Sequence, residues 1–297
     1  MRMHRDEIEI NEPLVRHLLS TQMPAFKGEP LVKVEPWGTD NAVWRLGDDL
    51  VVRLPRIHWA VDQIELENTW LPKLAPLLPV AIPEPVAVGE PDETYPWRWG
   101  VYRWVPGVGA GPSTIGDPMT FALELAEVLR SVACVPTDGA PRAKNRARPI
   151  QSYNEETLLM IDHVSELIDA REARSVWEAA LAAPPHKGAP VWVQGDLEGN
   201  CITSEGRLSG IVDWGSACVG DPAVDIQVVW SPLFTEESRR VFVQALSIDD
   251  AALARSRGAA IHQACGALGY YMDTYPLIIE RSWHKLAEVG VGRKHRW

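Results

Sequence analysis

Two aspartates and an asparagine lie close together in the stretch VWVQGDLEGNCITSEGRLSGIVDWG. Asp196 follows one apolar run, Asp213 ends a second, and Asn200 lies between them. Two such carboxylates could act as an acid/base pair, or one could act as a base while the other holds a cation. The amide favours the second arrangement, because magnesium binds carboxylate and amide oxygens, whereas an acid/base pair for glycoside cleavage needs no amide.

The two apolar runs predict strands, and the turn signal SEGR, from Ser204 to Arg207, predicts a β-hairpin. On this interpretation the two aspartates lie at the ends of adjacent strands. Strand ends position side chains more firmly than free loops, and a catalytic site must be held to within about half an ångström. The hairpin is therefore the element that we expect to position the site.

The rest of the chain divides into a β-rich part and a helical part. The stretch LVKVEPWGTDNAVWRLGDDLVVRLP predicts three short strands, and a helix near 61–77 and a strand near 99–105 follow. The Gly/Pro-rich stretch PGVGAGPSTIGDP predicts a connector. Helices are expected after it at about 117–132, 153–170, 172–183, 235–246, 249–271 and 277–289, with another starting near 221. The expected fold class is α+β, with a β-rich lobe over 1–105 and a helical lobe over 106–297.

Composition narrows the possible partners. The 297 residues include 29 basic and 40 acidic side chains, and the net charge of −11 repels nucleic acid and favours cationic ligands. No apolar run approaches the roughly 20 residues of a membrane span, and the N-terminus lacks the apolar core of a signal peptide. We therefore expect a cytoplasmic protein that binds neither nucleic acid nor membrane. The four cysteines are scattered, which argues against a zinc ribbon or a disulfide framework.

A second motif, GDPAVDI, follows the hairpin stretch at 220–226. Together with QGD at 194–196, Asn200 and IVDWG at 211–215, it is similar to the catalytic segment of the aminoglycoside phosphotransferase family. The family pattern there is H-G-D and an asparagine, then a strand, a turn and I-D-F/W-G. Members of this family share the protein-kinase-like fold, so the resemblance implies a bilobal protein with its nucleotide site in the N-terminal lobe.

The resemblance extends into the first hundred residues. GTDNAVWRLGDDLVVRLPR resembles the family's nucleotide-covering hairpin and third strand, and Glu67 falls where the family has a helix glutamate. YPWRWGVYRWVPG resembles the segment that crosses between the lobes past the adenine. Nearly the whole chain is therefore covered, which makes the resemblance far more specific than one motif.

The resemblance implies a role for each matching residue. Asp196 would orient and deprotonate the substrate hydroxyl, while Asn200 and Asp213 would hold Mg²⁺ against the phosphates of ATP or GTP. Arg53 stands where the family has a phosphate-contacting lysine, and Glu67 would be its partner.

Four more residues receive supporting roles from the same resemblance. Tyr102 and Trp104, in the crossing segment, would line the nucleotide site. Gln194 would support the catalytic loop without taking part in the chemistry, since its amide offers a donor and an acceptor as neutral imidazole does. Asp225 would brace the same loop by accepting hydrogen bonds.

Three features depart from the family pattern. Gln194 replaces a histidine, and Arg53 replaces a lysine, which keeps the charge but presents a planar fork. The third is loop length, because three residues separate Asp196 from Asn200 where the kinase pattern H-R-D-x-x-x-x-N has four.

The function implied is magnesium-dependent O-phosphotransfer from ATP or GTP to a hydroxyl of a small molecule, with an antibiotic or related secondary metabolite as the expected acceptor. The net charge of −11 favours a cationic or amine-bearing acceptor. Two alternatives stay open. One is a metabolic small-molecule kinase of the choline or amino-sugar type, and the other is a catalytically weakened protein that binds nucleotide or ligand without turnover.

Overall fold

The computed structural model describes residues 3–35 and 38–294. The chain forms two compact units. The sheet unit comprises Met1–Pro76, Ala81–Pro106 and Ile211–Gly215, and the helical unit comprises Leu77–Val80, Gly107–Gly210 and Ser216–Trp297. Unlike the two continuous lobes expected from the sequence, the segments 77–80 and 211–215 each group with the other part of the chain.

The sheet unit is built on an antiparallel sheet. Its strands are β1 (Leu31–Lys33), β2 (Asn41–Leu46), β3 (Leu50–Pro55), β4 (Pro85–Gly89) and β5 (Trp99–Arg103). They lie in the order β1-β2-β3-β5-β4. The helices α1 (Glu12–Gln22) and α2 (Val61–Leu74) complete the unit.

The core of the sheet unit combines strand residues with one face of α1. Trp44, Trp99 and Tyr95 are buried there, together with Val15 and Leu18 of α1. Burying such side chains stabilises the fold by about 1.5–3 kcal/mol each. On the sheet, Arg53 of β3 lies opposite Val43 of β2 and Gly100 of β5, so a central strand fixes the position of its side chain.

The helical unit contains seven α-helices within its described residues. They are α3 (Pro118–Ala133), α4 (Asn154–His163), α5 (Ala170–Ala182), α6 (Ala223–Ile226), α7 (Glu236–Ala245), α8 (Asp250–Tyr271) and α9 (Pro276–Glu288). The long helix α8 packs against α5, α9, α4 and α6, so side chains along α8 reach several parts of the unit.

Local capping explains where three of the predicted helices begin. The side chains of Asp117, Thr235 and Asp249 accept hydrogen bonds from backbone N–H groups in the first turns of α3, α7 and α8. These starts were predicted from the sequence and are confirmed. None of the helices in the described ranges is long and apolar enough to cross a membrane.

The remaining strands correct the predicted hairpin. They are β6 (Val108–Gly109), β7 (Val191–Val193), β8 (Cys201–Ser204), β9 (Arg207–Ile211) and β10 (Cys218–Gly220). The hairpin is β8–β9, with Glu205 and Gly206 at its turn, whereas β7 pairs with β10 in a separate sheet. The prediction that Asp196 and Asp213 follow adjacent strands is therefore wrong, since β7 and β9 are not neighbours.

Helix α1 and strand β4 were also not predicted. Helix α1 has an N-cap, Asn11, whose side chain accepts from Leu14 N, and a proline in its first turn, yet the N-terminal region was expected to be β-rich. Strand β4 begins at Pro85, in a stretch for which no strand was predicted. It lies at the edge of the sheet, where proline is tolerated because an edge strand leaves some N–H groups unpaired.

Candidate active site

In the sheet unit, the Arg53 guanidinium binds two carboxylates. Its NH1 donates to Glu67 Oε1 at 2.5 Å and its NH2 donates to Asp213 Oδ1 at 2.7 Å. Arg53 and Glu67 are buried, while the Asp213 side chain is 40% exposed. The predicted partnership of Arg53 with Glu67 is thus present as a direct ion pair, and Asp213 shares the same guanidinium.

Burial and charge act against each other on these groups. Burial disfavours the charged form of Arg53, but the charges of Glu67 and Asp213 outweigh it and hold the pKa of Arg53 above its ordinary value. Burial raises the pKa of Glu67, and the Arg53 charge opposes that shift. If the two side chains separated, each would be a buried charge without a partner, which is strongly destabilising. Arg53 and Glu67 therefore hold one another in place.

The backbone at Asp213 has an unusual conformation that the same glutamate stabilises. Asp213 has φ of 56°, in the left-handed region that few non-glycine residues adopt. Trp214 N donates to Glu67 Oε1 at 3.1 Å, and the buried Trp214 indole donates to Ile211 O at 2.9 Å. The segment that carries Asp213 is therefore anchored on both sides of the carboxylate.

The two aromatic residues expected to line the nucleotide site have different surroundings. Tyr102 is fully buried, and the Arg53 guanidinium lies 5.8 Å from its ring centroid. Burial raises the pKa of Tyr102 well above its ordinary value, and the charge of Glu67 adds to the rise. Trp104 is half-buried, with the Arg45 guanidinium 4.5 Å from its ring centroid.

In the helical unit, the loop after β7 carries Asp196 and is tied down through backbone groups. The N–H groups of Gln194 and Gly195 donate to the Asp225 carboxylate at 2.8 and 2.7 Å. Gly195 has φ of +89°, which glycine adopts without strain. The buried Gln194 side chain accepts from Asp196 N at 2.7 Å, so both supporting residues contact the backbone of the loop.

The brace on this loop is itself a buried carboxylate. Burial raises the pKa of Asp225 to about 6, and the N–H groups of Gly195 and Gln194 oppose the rise. The nearby charge of Asp196 raises it further. Asp225 is therefore a group whose protonation state is coupled to the loop.

The shortened loop between Asp196 and Asn200 closes as a tight turn. Asn200 N donates to Leu197 O at 3.1 Å, and Asn200 Nδ2 donates to the main-chain oxygen of Asp196 at 2.7 Å. Gly199, with φ of +90°, makes the turn possible. The amide nitrogen of Asn200 is thus used by the loop backbone. The side-chain oxygen of Asn200 is therefore the atom that could act as a metal ligand.

The Asp196 carboxylate contacts two residues that the sequence did not single out. Gln263 Nε2, from α8, donates to Asp196 Oδ1 at 2.9 Å, and Arg146 NH2 lies 3.8 Å from Asp196 Oδ2. Neither residue belongs to a motif, and a glutamine inside a helix gives no sequence signal. Only the packing of α8 against the loop shows that Gln263 contacts Asp196.

The structure brings the predicted residues together in two groups. Arg53, Glu67, Tyr102 and Asp213 form one group in the sheet unit, and Asp196, Asn200, Gln194 and Asp225 form another in the helical unit. Trp104 packs with Arg45 in the sheet unit. In the ranges 3–35 and 38–294, no three His, Cys, Asp or Glu side chains are grouped so that they could hold a metal ion.

Comparison with known proteins identifies the class. Residues 32–260, more than half of the chain, match the model of the phosphotransferase enzyme family (APH). The chain belongs to this family and is a phosphotransferase, as the sequence resemblance implied.

Individual relatives agree with this family in sequence and fold. A viomycin phosphotransferase from Streptomyces vinaceus is 28% identical over 195 residues, which cover 62% of this chain and 68% of that protein. The GDP complex of aminoglycoside 2'-phosphotransferase-IIIa superposes with a TM-score of 0.70 at 20% identity, covering 94% of this chain and 98% of that one. A macrolide 2'-phosphotransferase from Brachybacterium faecium gives 0.61 at 23% identity, with 93% and 96% covered. The kinase-like α+β fold is thereby confirmed.

Proposed function

We propose that the protein transfers the γ-phosphate of ATP or GTP to a hydroxyl group of an antibiotic or a related secondary metabolite. The names of its relatives, which include viomycin and macrolide phosphotransferases, support this acceptor class. Structures of relatives in complex with GDP, or with ATP and streptomycin, support a nucleoside triphosphate as the donor. The observation that carries the proposal is the acid Asp196, held in a loop that Gln194 and Asp225 brace.

Asp196 is proposed to be the general base. It would accept the proton of the acceptor hydroxyl as that oxygen forms a bond to the γ-phosphorus and the bond from phosphorus to the β,γ-bridging oxygen breaks. The nucleoside diphosphate then leaves. A base positioned in this way contributes about 10²–10⁴-fold to the rate.

The nucleotide side of the reaction is assigned to the sheet unit. Arg53 is proposed to contact the phosphates, and Glu67 and the buried Tyr102 would hold its guanidinium in place. Since Arg53 already binds Asp213, phosphate oxygens would compete with that carboxylate for the NH2 group. Trp104, half-buried after β5, is proposed to line the site of the base.

Magnesium fits the residues assigned to it. Asp213 offers a half-exposed carboxylate and Asn200 an amide oxygen, and both are oxygen donors of the kind that Mg²⁺ prefers. Magnesium is usually bound by one or two carboxylates together with substrate phosphates and water, which suits this small set. When bound, it neutralises the charge that develops on the transferred phosphoryl group.

A panel of acceptors tests the proposal. Purified protein is incubated with radiolabelled ATP or GTP, magnesium, and members of the peptide, macrolide and aminoglycoside antibiotics, with amino sugars and choline as the alternative class. Label on an antibiotic in the wild type, lost in Asp196→Asn, is the expected result. Label on choline or a simple amino sugar alone would instead establish the metabolic kinase.

One observation favours a second candidate, the protein that binds without turnover. Arg53 is already engaged by two carboxylates, and Gln194 and the short loop depart from the family pattern. A single-turnover measurement separates the candidates, because transfer to any acceptor, or slow magnesium-dependent hydrolysis of the nucleotide, excludes pure binding.

A further inference from the structure

A chain of polar contacts in the helical unit ends on the Asp196 carboxylate. Gln263, near the middle of α8, donates from Nε2 to Asp196 Oδ1 at 2.9 Å. Its other amide atom, Oε1, accepts from Lys285 Nζ of α9 at 2.5 Å. Lys285 Nζ also lies 2.5 Å from Glu198 Oε2, two residues after Asp196. The chain of contacts therefore begins and ends on the same loop, at Asp196 and at Glu198.

The ammonium group of Lys285 determines which way the Gln263 amide faces. An ammonium carries three donors and no acceptor. It can bind only the oxygen of the amide, so the NH2 group of Gln263 is left facing Asp196. A carboxylate oxygen is the partner that this NH2 group requires, because an ionised carboxylate only accepts.

The position of Lys285 is fixed in turn by burial. Only 3% of Lys285 is exposed, and taking an ammonium out of water costs several kcal/mol unless it is paired. Glu198, whose side chain is 10% exposed, supplies the opposite charge. Because both charges are largely buried, the ion pair has little freedom to move, and it carries that rigidity to Gln263.

We propose that Gln263 is a positioning residue for Asp196, and that the buried Lys285–Glu198 pair sets its orientation. Gln263 holds the plane of the Asp196 carboxylate at the angle from which it takes the acceptor proton. The ammonium polarises the amide, and chains of hydrogen bonds strengthen one another in this way. The inference rests on the proposed role of Asp196 as the base.

The first variant removes the hydrogen bond with little change of volume. Methionine has about the length of glutamine and no donor, so Gln263→Met leaves the Asp196 carboxylate without this contact. Misplacing a reacting group by about 1 Å can cost roughly 10²-fold. We expect kcat to fall about 10- to 100-fold while KM for both substrates stays within about twofold. Unchanged kcat, or a loss confined to KM, overturns the proposal.

A double-mutant cycle distinguishes positioning from a general structural effect. If Gln263 acts only through Asp196, adding Gln263→Met to Asp196→Asn should lower the residual single-turnover rate by less than about twofold, because interacting residues are not additive. Equal losses in the two backgrounds overturn the proposal. No turnover in the wild type, or full activity in Asp196→Asn, instead refutes the proposed function itself, so the two failures are distinguishable.

A second variant and a control guard against misfolding. Gln263→Glu, assayed at pH 8, keeps the shape and the partner of Lys285 but presents an oxygen where the NH2 group stood. It should lose at least as much kcat as the methionine variant, and wild-type kcat would overturn the proposal. The matched control is Thr157→Val, which removes the hydrogen bond between Thr157 and His262, the neighbour of Gln263 on α8. We expect its kcat within about twofold of wild type, and a loss equal to that of Gln263→Met would count against positioning.

Discussion

In the sheet unit Asp213 shares one buried guanidinium with Glu67, whereas in the helical unit Asp196 accepts a hydrogen bond from the neutral amide of Gln263. The first group is held by contacts between opposite charges. Phosphate oxygens could take the place of a carboxylate on Arg53, and a metal ion could take the place of the guanidinium on Asp213. The second is held mainly by backbone N–H groups and amides, with the Arg146 guanidinium farther away at 3.8 Å, and the substrates offer no group that could replace these contacts. We infer that the contacts of Asp213 change when a phosphate or a metal ion binds, whereas the contacts of Asp196 keep its carboxylate in one position.

The largest effect is expected at Asp213. Replacing it in Asp213→Ala removes the proposed main magnesium ligand and one of the two partners of Arg53, so turnover should fall below detection or recover only at much higher magnesium. Kinetics across a magnesium titration checks this. A variant that titrates with magnesium as the wild type does would show that Asp213 is not the ligand.

Asp196→Asn should affect chemistry without changing the response to the metal. Asparagine keeps the shape but removes the proton acceptor, so we expect kcat to fall by about 10²–10⁴-fold. The magnesium dependence of the residual rate should match that of the wild type, which is the contrast with Asp213→Ala. Activity within threefold of wild type would remove Asp196 from the mechanism.

The third prediction concerns pH and Asp225, which accepts hydrogen bonds from the loop that carries Asp196. Burial raises the pKa of Asp225 from 3.8 to about 6, so the folded state takes up this proton at a higher pH than the unfolded state. The contribution of Asp225 to stability is therefore fully present below pH 3.8 and lost as pH rises through 6. A shift of this size corresponds to about 3 kcal/mol.

His262 titrates in the same range with the opposite sign. Burial lowers its pKa from 6.5 to about 4, so its contribution is present above pH 6.5 and lost as pH falls through 4. The two effects offset each other in the wild type, and single variants separate them. Measured by urea unfolding, the free-energy difference between wild type and Asp225→Asn should change by about 2 kcal/mol in favour of the variant from pH 4 to 6. The difference for His262→Gln should move the other way, and two flat profiles would contradict both assignments.

The features that the sequence predicted are those with local causes. The starts of α3 and α8 follow from the caps Asp117 and Asp249, whose partners lie three residues away. The segment containing Asp196 and Asn200 could be recognised because the residues of the loop are consecutive in the chain. In these regions the sequence carries both the residue and its immediate partners.

The features that the sequence did not predict depend on distant parts of the chain. Gln263 is 67 positions from Asp196, and Arg53 is 160 from Asp213. Strand β7 pairs with β10 because tertiary packing, rather than the intervening turn signal, selects its neighbour. Periodicity and capping describe one element at a time, so contacts between elements need the fold.

A smaller effect is expected at Gln194, whose side chain accepts from Asp196 N. Neutral imidazole also offers a donor and an acceptor, so Gln194→His should leave kcat/KM within about tenfold of wild type, or about 1.4 kcal/mol. Steady-state kinetics with the best acceptor checks this. A gain of several hundredfold would instead indicate that the natural glutamine weakens the enzyme.

The smallest effect is expected from the long-range field on the acceptor. The net charge of −11 should concentrate a cationic acceptor near the protein, although Arg146, 3.8 Å from Asp196 Oδ2, opposes this locally. Salt shortens the field to about 8 Å at 0.15 M. At fixed free magnesium, kcat/KM for a polyamine acceptor should therefore fall a few-fold between low and physiological salt, while that for a neutral acceptor should barely change.

Arg146→Gln sharpens the comparison. Removing this cation should raise kcat/KM for the polyamine and leave kcat/KM for the neutral acceptor unchanged. A neutral macrolactone that outperforms every amine would show that local contacts, rather than net charge, select the acceptor.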